Sequence, residues 1–376
     1  MKGEILMYQP GLKGIVAAET KISHIDGDRG VLSYRGYNIT DITKSHSFEE
    51  AAYLLWFGDF PNKEQLSKLS NQLVSNRDLP KHVEEILLHL PAEMDMMSVL
   101  RTAISAAGIK DYTWKPTIEQ AIQLTAIFPT IIAYRKNQLE GKTFIRPRTD
   151  LTHVENYLYM LNGIVPSKAH SNALETYMIL TMEHGMNAST FAARVTASTE
   201  SDLVSAVTSA IGAMKGPLHG GAPSEVIDLL NEINVTGDAE EVIRGKLSRG
   251  EKLMGFGHRV YKTIDPRGVA LKSKLIDFAG QDPWLDLAIN VEKVGVQLLQ
   301  EYKPGRSLYT NVEFYAAAIM NAIKMDPALF TPTFSASRMV GWSAHVLEQA
   351  EKNVIFRPES NFIGEFHNEL TKADVL

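Results

Sequence analysis

The chain has no cysteine. Disulfides, thiolate nucleophiles and cysteine-ligated metals are therefore excluded together, and the absence suits a reducing cytosol. It also lacks an apolar run long enough for a membrane helix, since the most apolar stretch, 124–133, is short and interrupted by Pro129. The first ten residues, Met1 to Pro10, do not carry the apolar run of a signal peptide. No lysine/arginine run stands out and the formal net charge is −6, so there is no nucleic-acid footprint. The spacings His-x3-His and His-Glu-x-x-His are missing, as is any acidic loop of calcium type, which leaves a metal without support. Gly255-Phe256-Gly257 starts like a dinucleotide fingerprint but has no third glycine and follows no convincing strand. A Walker-type loop is absent too. The expectation is a soluble cytoplasmic protein with no metal, nicotinamide cofactor, nucleic-acid partner or membrane span.

What is present reads as globular. Hydrophobic residues make up 44% and charged residues 22% of 376 positions, and that length favours two domains over one core. Glycine and Asp-Gly-Asp punctuation between short β-branched stretches, such as Thr20-Lys21-Ile22-Ser23, predicts a small hairpin or two within 15–36. Helical signals dominate the rest. Ser47-Phe48-Glu49-Glu50 is a capping-box pattern with Ala51, Leu54 and Leu55 behind it. Ser224 is placed to cap a helix with Val226, Leu229, Leu230 and Ile233 on one face. Asn311 is placed to cap another that buries Val312, Tyr315, Ala316, Ile319, Met320 and Ile323. The fold class is all-α with a minor β element at the start. Breaks at Lys215-Gly216-Pro217 and around Thr331-Pro332 suggest a large domain of 1–216 plus 331–376 and a small domain of 217–330. A hinged pair of domains suits a reaction that must exclude water.

Three of the eleven histidines sit beside glycine: His184-Gly185, His219-Gly220-Gly221 and Gly257-His258. Glycine there permits tight turns and close approach of backbone to a ligand, although loops carry both residue types for ordinary reasons. The run Gly257-His258-Arg259-Val260-Tyr261-Lys262 is cationic and leads into Asp265-Pro266-Arg267-Gly268, while Arg338 and Arg357 follow later. Arginine matches carboxylates in bidentate fashion, yet scattered arginines are usually solvated surface. Glu313 is a possible base, and equally a glutamate that complements the dipole of a helix's first turn.

Gly216-Pro217-Leu218-His219-Gly220-Gly221-Ala222 and Met254-Gly255-Phe256-Gly257-His258-Arg259-Val260-Tyr261-Lys262, the latter with Asp265-Pro266-Arg267, closely resemble the two signature blocks of citrate synthases. Further similar blocks include Leu32-Ser33-Tyr34-Arg35-Gly36-Tyr37, Val99-Leu100-Arg101-Thr102-Ala103 and Asn187-Ala188-Ser189-Thr190-Phe191-Ala192-Ala193-Arg194. The resemblance spans nearly the whole chain and is closest to the shorter bacterial and archaeal form. It implies a two-domain helical fold and a Claisen-type condensation of acetyl-CoA with oxaloacetate, followed by hydrolysis of citryl-CoA. It also implies roles. His219 would hydrogen-bond the thioester oxygen, His258 would polarise and protonate the ketone, and His184 would bind oxaloacetate. Arg267 and Arg338 would hold substrate carboxylates, and Arg357 would be donated across a homodimer interface. Leu253, Met254, Gly255, Phe256 and Gly257, with Arg259 and Lys262, would form the coenzyme A site. No cofactor is implied beyond the acyl-CoA co-substrate.

One position departs from the pattern. The family's base is normally an aspartate in an Asn-Val-Asp-Phe-Tyr block, whereas this chain has Asn311-Val312-Glu313-Phe314-Tyr315. The extra methylene advances the carboxylate by roughly 1.3 Å. A misplacement of about 1 Å can cost on the order of 100-fold in rate. Two other readings stand beside the first: a 2-methylcitrate synthase that uses propionyl-CoA, and a weakly active paralogue that binds ligand.

Overall fold

The computed structural model describes residues 8–220, 224–257, 261–276, 283–306 and 308–365. Within them the chain is a helical assembly with one small sheet, as the all-α reading requires. The strands Ser23–Asp26, Val31–Tyr34 and Tyr37–Asn38 form an antiparallel meander in chain order, with His24 opposite Ser33 and Ser33 opposite Asn38. The first hairpin lies within the 15–36 segment that the glycine punctuation marked, the second closes just beyond it at Tyr37–Asn38, and the first strand starts at Ser23, where the β-branched stretch Thr20–Ser23 ends.

Helix starts follow the capping chemistry. Ser47 Oγ accepts from Glu50 N while Glu50 reaches back to Ser47 N, which fixes the start of the helix Phe48–Phe57. Asn311 Oδ1 accepts from Glu313 N at 2.9 Å and Phe314 N at 3.3 Å, opening the helix Val312–Ala322. The helix Ser224–Thr236 buries Val226, Leu229, Leu230 and Ile233, the face that the spacing predicts. The break expected around Thr331-Pro332 is the junction between the 3-10 turn Pro327–Leu329 and the helix Phe330–Glu351; Pro332 itself lies in the first turn of that helix, where a missing N–H leaves no bond unmade.

The helix Phe330–Glu351 is the axis of the fold. It packs against Phe48–Phe57, Ile118–Leu139, Lys168–Thr181, Ala188–Ser198 and Leu203–Met214, and Trp342 at its middle is wholly buried. Trp342 Nε1 donates to Ser189 Oγ at 3.0 Å, so even this core ring is tied to the polar side of the molecule. Among the described residues no helix is long and apolar enough to cross a membrane.

Glu175, on the helix Lys168–Thr181, accepts from Phe48 N at 3.0 Å. Burial pushes its carboxyl up to about 7; the Phe48 N–H opposes the rise, and the charges of Glu49, Glu155 and Glu50 add to it. An acid raised in this way keeps its proton in the folded state where the unfolded chain has released it. Stability is therefore lost as pH rises from about 4.5 to about 7. Glu175→Gln should melt progressively higher than the parent across that window. A variant-minus-parent difference that is flat with pH would contradict this.

Candidate active site

His219 lies in the short helix Pro217–Gly220, which follows directly on Leu203–Met214. The link is tight, because a Cβ on Gly220 would fall 2.1 Å from Met214 O. Thr331 Oγ1 donates to Gly220 O at 2.9 Å, which ties this turn to the central helix. His219 Nε2 meets Ser189 twice, with the backbone N at 3.3 Å and Oγ at 2.7 Å. A backbone N–H can only donate, so Nε2 is the acceptor and we assign the ring hydrogen to Nδ1. Burial pushes the imidazole down to about 4, and the Arg338 charge adds to the effect. His219 is thus uncharged at neutral pH, a hydrogen-bond donor without a positive charge. An NMR titration should give its midpoint near about 4, and a midpoint at the ordinary histidine value of about 6.5 would contradict the geometry.

Arg338 is 1% exposed, with Nε donating to Thr181 O at 2.7 Å and its guanidinium 4.8 Å from the Phe334 ring. No ion pair to it exists among the described residues. Burial lowers its pKa; Glu183 and Tyr34 work against this, and the like charge of Arg267 works with it. Arg267, equally buried, is held by Asp265: Nε donates to Oδ1 at 3.1 Å and Nη2 to Oδ2 at 2.9 Å. Burial opposes its charge too, but Asp265 outweighs that and the net shift is upward. Two buried guanidiniums close enough to feel each other make a place for a ligand with more than one negative charge.

Asp265 also joins Arg267 to the helix start that carries Glu313. Its Oδ2 accepts from Val312 N at 3.2 Å, so one carboxylate sets both Arg267 and the helix start that carries Glu313. The segment 253–257 is stitched to the same helix start. Asn311 N donates to Gly255 O at 2.9 Å, Gly257 N to Tyr309 O at 2.7 Å, and Asn311 Nδ2 to Gly257 O at 2.9 Å. Gly255 and Gly257 both have φ near +83°, a backbone only glycine adopts without strain. Phe256 packs its ring edge-on against Phe314, and a side chain at Gly295 would collide with that ring.

His184, His219, Arg267, Glu313 and Arg338 line one cavity of about 880 Å³. His184 Nε2 lies 3.1 Å from Tyr261 Oη, and the Tyr261 ring carries Arg267 at 5.7 Å. Other nominated residues are elsewhere. Leu253, Met254, Gly255, Phe256 and Gly257 form the adjoining loop and do not line the cavity; Lys262 is exposed and paired with Asp28 at 2.7 Å; Arg357 is exposed in the segment after the last helix. His258 and Arg259 lie outside the described residues. Tyr177, Asn187 and Phe334 line the cavity without having been nominated. Phe330, Phe334 and Arg338 are spaced i, i+4, i+8, a signal that was readable as one helix face. Gly11, Leu12, Ile15 and Ala17 also line the cavity; Gly11-Leu12-Lys13-Gly14 is another block similar to the family, but it carries no chemistry-bearing side chain that marks it as cavity wall.

The family profile described as "Citrate synthase, C-terminal domain" matches residues 11–359. The chain is 42% identical over 363 residues to citrate synthase 2 of Bacillus subtilis, covering 94% of this chain and 95% of that protein. It is 38% identical over 360 residues to a 2-methylcitrate synthase of Shewanella oneidensis, covering 94% of both. Among solved structures it is similar to the citrate synthase of Thermoplasma acidophilum in ternary complex with carboxymethyl coenzyme A and oxaloacetate. That similarity has a TM-score of 0.86 at 28% identity and covers 97% of this chain and 98% of the other.

Proposed function

The chain belongs to the citrate synthase family, and from that premise we propose that it condenses acetyl-CoA with oxaloacetate and hydrolyses the citryl thioester to citrate and CoA. It is an acyltransferase whose acyl group becomes alkyl on transfer, and acetyl-CoA is a co-substrate; no cofactor takes part. The observation that carries this reading is the convergence of His184, His219, Arg267, Glu313 and Arg338 on one cavity.

The Glu313 carboxylate removes a proton from the acetyl methyl, and His219 Nδ1–H donates to the thioester oxygen as negative charge develops there. An uncharged donor suits that task, because it stabilises the enolate oxygen without surrendering a full proton. The enolate carbon attacks the ketone of oxaloacetate, whose carboxylates lie on Arg267 and Arg338 with His184 beside them. His258 delivers the proton to the new alkoxide. Water then cleaves the thioester. The 253–257 loop, with Arg259 and Lys262, receives coenzyme A; Lys262 must exchange Asp28 for a phosphate to take part. Residues 217–330 move as a small domain against the rest and close the cavity to water before condensation.

The working form is a cytoplasmic homodimer in which Arg357 reaches the partner's site. The supporting feature is the segment after the central helix, which exposes Val354, Ile355, Phe362 and Ile363 beside Arg357. A second reading, propionyl-CoA as the acyl donor, is favoured by the 2-methylcitrate synthase relative. Comparing kcat/KM for acetyl-CoA and propionyl-CoA decides between them. Acetyl-CoA is expected to be the better substrate, and a strong propionyl preference would overturn the first reading.

A further inference from the structure

Glu183 directly precedes His184 and has no exposed surface. A carboxylate so placed loses its hydration and needs donors. Two converge on Oε1, Ser23 Oγ at 2.9 Å and Gly185 N across the turn, and His345 Nε2 stands 3.1 Å from the same oxygen without closing a hydrogen bond to it. Arg194 Nε donates to His345 Nδ1 at 3.0 Å. Because a guanidinium N–H only donates, Nδ1 accepts and the ring hydrogen sits on Nε2, facing Glu183. Arg194 is held in turn by Gln349 and Glu348. A line of polar groups therefore crosses the core from Glu348 to the residue beside His184. Gly341 leaves the room it needs, since a Cβ there would lie 2.3 Å from Met182 O and 2.7 Å from Glu183 Oε2.

On its other side this network shapes the cavity wall. Gly185 has φ +60°, and the turn it makes runs from the end of the helix Lys168–Thr181 to Asn187, the cap of Ala188–Ser198. Tyr34 Oη accepts from Glu183 N at 3.0 Å, so the small sheet braces the same turn. Burial acts against the Glu183 charge, but His345, Arg338 and Ser23 outweigh it and hold the carboxyl below its ordinary range. Apolar packing of equal volume would stabilise a core at least as well as such a network. Its placement against a substrate-facing turn gives it a use.

We propose that Glu183 is a positioning residue for the ketoacid half of the site: its carboxylate, held from behind by His345 and Arg194, closes the 183–185 turn and sets the His184 ring toward the cavity. This rests on the assignment of His184 to oxaloacetate. The test is calorimetric binding of oxaloacetate, with steady-state kinetics for both substrates, on the full-length parent, Glu183→Ala, Glu183→Gln and His345→Gln. Displacing a substrate-holding ring by about 1 Å predicts an oxaloacetate affinity on the order of 100-fold weaker in Glu183→Ala, with acyl-CoA KM unchanged. Glu183→Gln keeps an oxygen acceptor for Gly185 and should recover most of that loss, while His345→Gln should weaken oxaloacetate alone and by less. If Glu183→Ala does not fold, the other two variants carry the same split between substrates. Parental oxaloacetate affinity in the folded variants, or equal changes in both KM values, would overturn the proposal alone. A parent that does not bind oxaloacetate would overturn the functional reading itself.

Discussion

Glu313→Gln is expected to lower turnover by about 10²–10⁴-fold, the usual contribution of a general base, with oxaloacetate binding retained. The carboxylate reaches the cavity from a helix start that cannot easily shift. Asn311 caps it through Glu313 N and Phe314 N, and Asp265 holds Val312 N. With the backbone pinned, the extra methylene relative to aspartate is taken up in the side chain. Glu313→Asp should therefore match or exceed the parent. A large loss in Glu313→Asp would mean that the cavity is shaped for the longer acid, and parental turnover in Glu313→Gln would remove Glu313 from the reaction.

The second large effect concerns Arg338. Truncating one member of a buried charged contact typically costs about 2–5 kcal/mol, roughly 30- to several-thousand-fold in affinity. Arg338→Met should lose oxaloacetate affinity within that range while acyl-CoA affinity changes little. Its thermal stability should move the other way. The guanidinium is buried without an ion-pair partner among the described residues, so removing it relieves a desolvation cost in the ligand-free protein. A melting temperature at or above the parental one, together with lost binding, is the expected signature. Weaker binding of both substrates with a lower melting temperature would instead make Arg338 a structural residue.

Local chemistry was legible in the sequence wherever it acts over three or four residues. The Ser47 capping box, the Asn311 cap and the buried face of Ser224–Thr236 all follow from side-chain type and helical spacing. Of the glycine-flanked histidines and late arginines, His184, His219, Arg267 and Arg338 line one cavity, whereas Arg357 lies elsewhere and His258 is outside the described residues. What escaped was long-range. Ser189, which sets the tautomer of His219, is thirty positions away and looks like any helix serine. Asp265 reads as part of a turn, yet its two oxygens serve Arg267 and the Glu313 helix at once. Glu183 and His345 are 162 positions apart and meet only because Gly341 lets two helices approach. Pro332 read as a break yet sits inside the first turn of Phe330–Glu351, since proline is as welcome in a first helical turn as in a break.

The central claim is that one cavity holds both a ketoacid and an acyl thioester and joins them. Its most direct measurement is CoA-thiol release by the purified parent with acetyl-CoA and oxaloacetate together, and with each alone, with identification of the product. The expected result is release that requires both substrates and yields citrate. Release from acetyl-CoA without oxaloacetate, or no release with both present, would contradict it.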